Sequence, residues 1–162
     1  MTNPASVRGP RKGLYSAAER ARRDETVWTT VQAVLAPLQF VVFLVSLALV
    51  LRYLATGEGY LLATVSIVLK TAILYTIMIT GAIWEKVVFG QWLFAEPFFW
   101  EDVFSFLVIA LHTAYLVALS GGYLPPAGLM ILALAAYLTY VVNAGQFLWK
   151  LRLARLQAEA LA

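Results

Sequence analysis

The sequence predicts an all-α integral membrane protein, with four transmembrane helices in an up-down bundle and both termini cytoplasmic. Three observations predict it. The 162-residue chain is 62% hydrophobic and 13% charged, about half the charged fraction of a soluble domain, and its mean hydropathy is +0.79. The apolar residues gather into four long segments. The basic residues lie outside those segments and mostly on one side of them.

This length leaves room for one compact unit. Cysteine is absent, which excludes disulfides, thiolate metal sites and cysteine nucleophiles. The single histidine, His112, excludes bis-histidine haem ligation within one chain and argues against a protein-only zinc site. The net charge of +3 resides in the tails, so it speaks for membrane orientation; no nucleic-acid partner is expected.

Residues 1–26 form a basic cytoplasmic N-tail carrying Arg8, Arg11, Lys12, Arg20, Arg22 and Arg23. Within it "SAAE", Ser16 to Glu19, has capping-box spacing and predicts a short surface helix from about residue 17. No small-residue cleavage pattern follows a short apolar region, so a removable signal peptide is not expected. The transmembrane domain spans 27–150, with apolar segments at 27–54, 61–88, 99–119 and 127–149. Each reaches the roughly 20 residues that cross the hydrocarbon as a helix, and helix is required because lipid satisfies no exposed backbone group. "ATGEGY" (55–60), "GQWLFAEPF" (90–98) and "SGGYLPPAG" (120–128) break the segments with glycine and proline turn signals. Pro126 suits a helix opening, and Pro37 predicts a kink in the first span. Residues 151–162 close the chain as a basic tail.

Orientation follows from charge. Six basic residues in the N-tail, Lys86 in the middle loop region and Lys150, Arg152 and Arg155 share one side, against Arg52 on the other. The positive-inside rule puts that richer side in the cytoplasm, and Trp28, Trp84, Trp92, Trp100 and Trp149 cluster near it as an interfacial belt would.

Each span also carries a polar stripe. At 100° per residue, Glu101, Ser105, His112 and Tyr115 share one face of the third segment, while Asp102 and Thr113 lie about 100° away. Ser66, Lys70, Ile77, Gly81 and Trp84 share a face of the second, with Glu85 at its edge. Gln32, Gln39 and Ser46 recur every seven residues in the first, and Thr139, Asn143, Gln146 and Lys150 line one side of the fourth. For Gln32, Ser46, Ser66 and Thr139 helix–helix hydrogen bonding suffices. Asp102 also suits a helix N-terminus as a first-turn acid. Glu85, Glu101, Asp102, Lys70 and His112 together read as a functional set, because ionisable groups in a membrane are costly and by default face the bundle interior. They form two layers. Glu85, Glu101 and Asp102 sit near the cytoplasmic boundary; His112 lies about 16 Å deeper at 1.5 Å per residue, level with Lys70.

The runs "GPRKGLY", "VLAPLQF", "RYLATGEGY", "ITGAIWEKVVFGQ", "FFWEDVFS" and "ALHTAYL", spread from Gly9 to about Arg152, together resemble the vinyl bacteriochlorophyllide hydratase family of bacteriochlorophyll synthesis. The resemblance implies a hydro-lyase that adds water to the 3-vinyl group of a magnesium chlorin, chlorophyllide a or a bacteriochlorophyllide, to give the 3-(1-hydroxyethyl) product. It further implies a multi-pass protein of the inner or intracytoplasmic photosynthetic membrane of a phototrophic bacterium. No cofactor is needed, the magnesium belonging to the substrate.

Vinyl hydration calls for protonation of the terminal carbon and capture of the adjacent cation by water. Glu101 is the expected acid, with Asp102 and Glu85 beside it to tune its protonation. His112 has two candidate roles, axial ligand to the substrate magnesium or proton donor to a vinyl group inserted to its depth. Lys70, Gln39, Asn143 and Tyr115 are expected to line the chlorin site, with Trp84, Lys86, Phe99 and Trp100 at its mouth and Gly81 allowing close approach of the macrocycle or of a neighbouring helix. Expected partners are the chlorophyllide-type substrate, the lipid bilayer, and neighbouring pigment-pathway enzymes or a second copy. The alternative is a pigment carrier or assembly factor that binds a chlorin in the bundle without reacting.

Overall fold

The computed structural model describes residues 13–160; Arg8, Arg11 and Lys12 of the expected N-tail lie outside them. The described residues form five α-helices and a 3₁₀ turn. Helix α1 (Ala17–Glu25) starts from the capping box: Ser16 Oγ accepts from Glu19 N at 3.3 Å, and Ser16 N donates to Glu19 Oε2 at 2.8 Å. Thr26 then caps α2 (Val27–Thr56), which continues through Pro37. Helix α3 spans Tyr60–Phe89, the 3₁₀ turn Glu96–Phe98, α4 Phe99–Gly121 and α5 Pro126–Glu159. Gly57, Gly90 and Gly122 end α2, α3 and α4 in the left-handed region (φ 75, 83 and 64°), where a side chain would be strained. Four helices, α2 to α5, are long and apolar enough to cross a membrane.

Helix α5 runs ten residues past the end of its apolar segment at 149. "KLRLARLQAE" consists of strong helix formers, and its far end is docked: Gln157 Oε1 accepts from Leu14 N at 2.8 Å, and Gln157 Nε2 donates to Tyr15 O at 3.3 Å. Helix α1 lies against the end of α3, where Arg22 Nε donates to Val88 O at 2.8 Å. Tyr15 is buried there, stacked on Phe89 and covered by the Arg23 guanidinium. Burial pushes its phenol up to about 12, so it holds its proton at neutral pH.

Helix α2 packs extensively along α3, and α4 along α5. The two hairpins meet more sparsely, through α2–α5 and α3–α4. Phe43, Ile67, Leu74, Val108, Met130 and Ala133 fill the common core, and the small Ala133 and Ala136 let α5 approach closely. Val34, Leu38, Val41, Leu44 and Val45 of α2 point outward, as a lipid-facing surface requires. What positions the site is the seam between the hairpins, because the ionisable side chains of the spans collect along it.

Candidate active site

Three acids meet where α3 ends and α4 begins. The 90–98 connection folds back over the helix ends, and two of the acids hold its backbone. Asp102 Oδ2 accepts from Phe94 N at 2.6 Å, and Glu85 Oε2 accepts from Ala95 N at 3.2 Å. Phe94 has φ 58°, a left-handed conformation that costs a bulky L-residue about 1–2 kcal/mol; the two carboxyl anchors stabilise it. The Glu85 and Asp102 carboxyls stand side by side. Two adjacent carboxylates repel each other, and a single proton held between them would relieve that repulsion.

Glu101 sits on the adjoining face. Its Oε1 lies 3.5 Å from Lys150 Nζ, and Lys150 in turn donates to Pro97 O at 2.5 Å. Its Oε2 is buried with no hydrogen-bond partner among the described residues. All three acids are about 95% buried. Trp84, Phe89, Phe98 and Phe147 form an aromatic cluster, and Lys150 Nζ stands 5.8 Å from the Phe98 ring centroid.

Deeper in the bundle, Asn143 Nδ2 donates to Ser105 Oγ at 2.8 Å, and Ser105 Oγ donates to Glu101 O at 2.8 Å. Asn143 Oδ1, Gln146 Oε1 and both amide atoms of Gln39 are buried without a partner among the described residues.

The deepest layer is a lysine–histidine pair. Lys70 Nζ lies 3.0 Å from His112 Nε2, and His112 Nδ1 lies 2.8 Å from Val108 O. A carbonyl only accepts, so Nδ1 carries a proton and, in the neutral ring, Nε2 offers its lone pair to Lys70. Both residues are fully buried. The Lys70 ammonium position lies 4.0 Å from the Tyr140 ring centroid, 5.0 Å from Tyr137 and 5.9 Å from Phe43. Tyr137 O–H and Ser46 Oγ are hydrogen-bonded, and Ser46 reaches Ser66 Oγ at 2.7 Å. The interior thus offers two adjacent carboxyls, a third carboxyl facing Lys150 and a basic pair, all on one seam.

Comparison with known proteins identifies the family. The sequence family described as 2-vinyl bacteriochlorophyllide hydratase matches residues 15–153. The chain belongs to the 2-vinyl bacteriochlorophyllide hydratase family. It is 69% identical over 158 residues to the 2-vinyl bacteriochlorophyllide hydratase of Cereibacter sphaeroides, covering 97% of this chain and 98% of that protein. It is 70% identical over 156 residues to the protein of the same name from Rhodobacter capsulatus, covering 96% of this chain and 91% of that protein. No solved structure matches the chain significantly.

Within this hydratase-family fold, the sequence-derived candidates separate into two groups. Glu85, Glu101, Asp102, Lys70, His112, Tyr115, Gln39 and Asn143 are buried in the bundle. Asp102 turns toward α3, on the side where Thr113 meets Tyr75 Oη at 2.6 Å. The others lie apart. Gly81 faces α2, with the Gln32 side chain 3.7 Å from where a Cβ would stand. Trp84 donates its indole N–H to Thr29 Oγ1 at 2.9 Å. Lys86 is exposed and donates to Gly90 O, and Phe99 and Trp100 point outward at 43% and 66% exposure. His112 reaches a magnesium ion only if Lys70 releases its Nε2.

Sequence reasoning passed over Tyr137, Tyr140 and Phe43, which enclose Lys70. Two tyrosines three residues apart in mid-span, away from the interface where tyrosine ordinarily sits, are the signal that points to them. It also passed over the anchoring of Phe94 and Ala95 N–H groups by the acids, for which the residue pattern carries no signal.

Proposed function

We propose that this chain adds water to the vinyl group of a magnesium chlorin of the bacteriochlorophyllide type, held in the seam between the α2–α3 and α4–α5 hairpins. One observation carries this reading: two adjacent carboxyls, Glu85 and Asp102, are held at the α3–α4 turn beside Glu101 in a buried end of that seam, and in the proposed reaction the pair holds one proton. The pair donates its proton to the terminal vinyl carbon, and the positive charge that develops on the adjacent carbon spreads into the conjugated macrocycle. Water forms the new C–O bond and loses a proton to Glu101; transfer of that proton from Glu101 back to the Glu85–Asp102 pair restores the starting charges of all three acids. The balance is one water added and no net proton consumed.

Glu101 suits the base role more than that of donor, since Oε1 already faces Lys150 and Oε2 is free to receive a proton. The orphan atoms of Asn143, Gln146 and Gln39 are the groups that would hold water, because buried polar atoms take water when no protein partner is present. The sparse packing between the hairpins favours this seam as the entry for a flat ligand.

The bundle lies in the photosynthetic membrane in up-down order, with both termini and the acidic end on the cytoplasmic side. Support comes from the residue pairs along the helices. Gln32 meets Thr80 while Ser46 meets Ser66, and Glu101 meets Lys150 while Ser105 meets Asn143. In each hairpin a later residue on one helix meets an earlier one on the next. The concentration of basic residues at the acidic end supports the orientation. The test is incubation of membranes containing the chain with a magnesium 3-vinyl chlorin. A product heavier by one water is expected; pigment that binds and returns unchanged would make the chain a carrier.

A further inference from the structure

Lys70 is the one lysine of the described residues that is fully buried, and no carboxylate among them pairs with it. Of the acids in the seam, Glu85 lies 15 positions along the same helix, about 22 Å away at 1.5 Å per residue. Glu101 faces Lys150. A lysine head at this depth is costly, and an apolar residue of similar size would serve packing at least as well.

The geometry around Lys70 is that of a seat waiting for an anion. An ammonium has three N–H donors. One goes to His112 Nε2 at 3.0 Å. Among the described residues the remaining two have no hydrogen-bond acceptor; the ring faces of Tyr140, Tyr137 and Phe43 surround them, which favours a cation but supplies no conventional hydrogen bond. A lipid phosphate stays at the interface, whereas a carboxylate on a large apolar body can be carried to this depth.

We propose that Lys70 binds the free propionate carboxylate of the chlorin substrate, with His112 holding the lysine head in place, so that the pigment enters carboxylate-deep with its vinyl group toward Glu85 and Asp102. This rests on the chlorin-binding reading above and adds the recognition element to it. The acids and Lys70 stand at opposite ends of the polar seam, and the rim of one macrocycle carries both groups to be recognised. In the reverse orientation the propionate would leave Lys70 without an anion and would lie beside the Glu85 and Asp102 carboxyls. His112 then acts as a positioning residue for Lys70.

The experiment compares a magnesium 3-vinyl chlorin free acid with its methyl ester, using the full chain in membranes and reading the dissociation constant from the shift of the pigment's red absorption band. The native chain is expected to bind the acid at least tenfold more tightly than the ester. Lys70→Met is expected to abolish that difference while binding the ester as the native chain does, which also shows that the variant is folded. Equal affinity of the native chain for acid and ester would overturn the proposal, whatever the variant does. Palmitate serves as the competing source of carboxylate. Displacement of both pigments by palmitate, with no acid–ester difference, would assign the seat to lipid carboxylates and equally overturn it. Product formation is followed in the same samples. An acid–ester difference without hydrated product retains the Lys70 seat and refutes the hydratase reading, whereas equal hydration of both pigments with no difference in affinity does the reverse.

Discussion

Glu85→Gln separates proton donation from architecture. In the native chain Glu85 Oε2 accepts from Ala95 N at 3.2 Å, and its carboxyl stands beside that of Asp102. Glutamine is nearly isosteric. Its amide oxygen can accept from Ala95 N and its amide N–H can donate to Asp102, so both contacts survive in kind. The expected stability change is therefore under about 1 kcal/mol, the net worth of a single neutral hydrogen bond. The proton that the proposed reaction assigns to the pair does not survive, because an amide cannot release one to a vinyl carbon. Loss of a positioned general acid lowers turnover by about 10²–10⁴, which corresponds to about 2.7–5.4 kcal/mol of barrier at 1.36 kcal/mol per tenfold. The assay follows water addition to a magnesium 3-vinyl chlorin by mass in variant membranes, with pigment affinity measured in parallel. Turnover is expected to collapse while affinity and melting temperature hold. Native turnover in Glu85→Gln and also in Asp102→Asn would refute the carboxyl pair as the proton source.

Other expectations follow from the same contacts. Phe94→Gly and Phe94→Ala both remove a ring that stacks on Phe106, but only glycine relaxes the φ of 58°; the glycine variant should be the more stable by about 1 kcal/mol in thermal melts. Gly81→Ala should bind chlorin as the native chain does and gain up to about 1 kcal/mol of helix stability, since the nearest Gln32 atom lies at 3.7 Å; weakened chlorin binding would show that the macrocycle passes this face. Lys150→Met leaves the buried Glu101 without its cation and Pro97 O without its donor. It should cost about 2–3 kcal/mol, and adding Glu101→Gln to it should restore part of the loss. Glu101→Gln alone should keep chlorin affinity and lose turnover; full activity would remove Glu101 from the mechanism.

How legible the molecule is from its sequence depends on the range of the interaction concerned. The capping box at Ser16–Glu19 involves residues three apart and forms as the spacing dictates. The stripe of Glu101, Ser105, His112 and Tyr115 follows from helical periodicity alone, and all four are buried. Burial of Asp102, about 100° from that stripe, is not a periodicity result, because it depends on α3 bringing Glu85 alongside. Lys150 looks like an interfacial anchor in sequence; only the turn at Pro97 and the acid at Glu101 make it an ion-pair partner. Gly81 and Trp84 share a face with Lys70 by angle, yet they meet Gln32 and Thr29 of α2, because a helix face several turns long passes from one neighbour to another.

The sequence by itself determined that the described chain is helical, that four segments are long and apolar enough to cross a bilayer, and which side chains share each helix face. Those properties come from hydropathy and the 3.6-residue repeat, which are local to a segment. Only the tertiary structure decided that Lys70 Nζ occupies His112 Nε2 across 42 residues of chain. The placing of the Glu85 carboxyl beside that of Asp102 and the left-handed turn at Phe94 were likewise decided there. Each of these rests on the distance and rotation between two packed helices, and interhelical packing is set by the sum of all the contacts in the bundle rather than by any one stretch of residues.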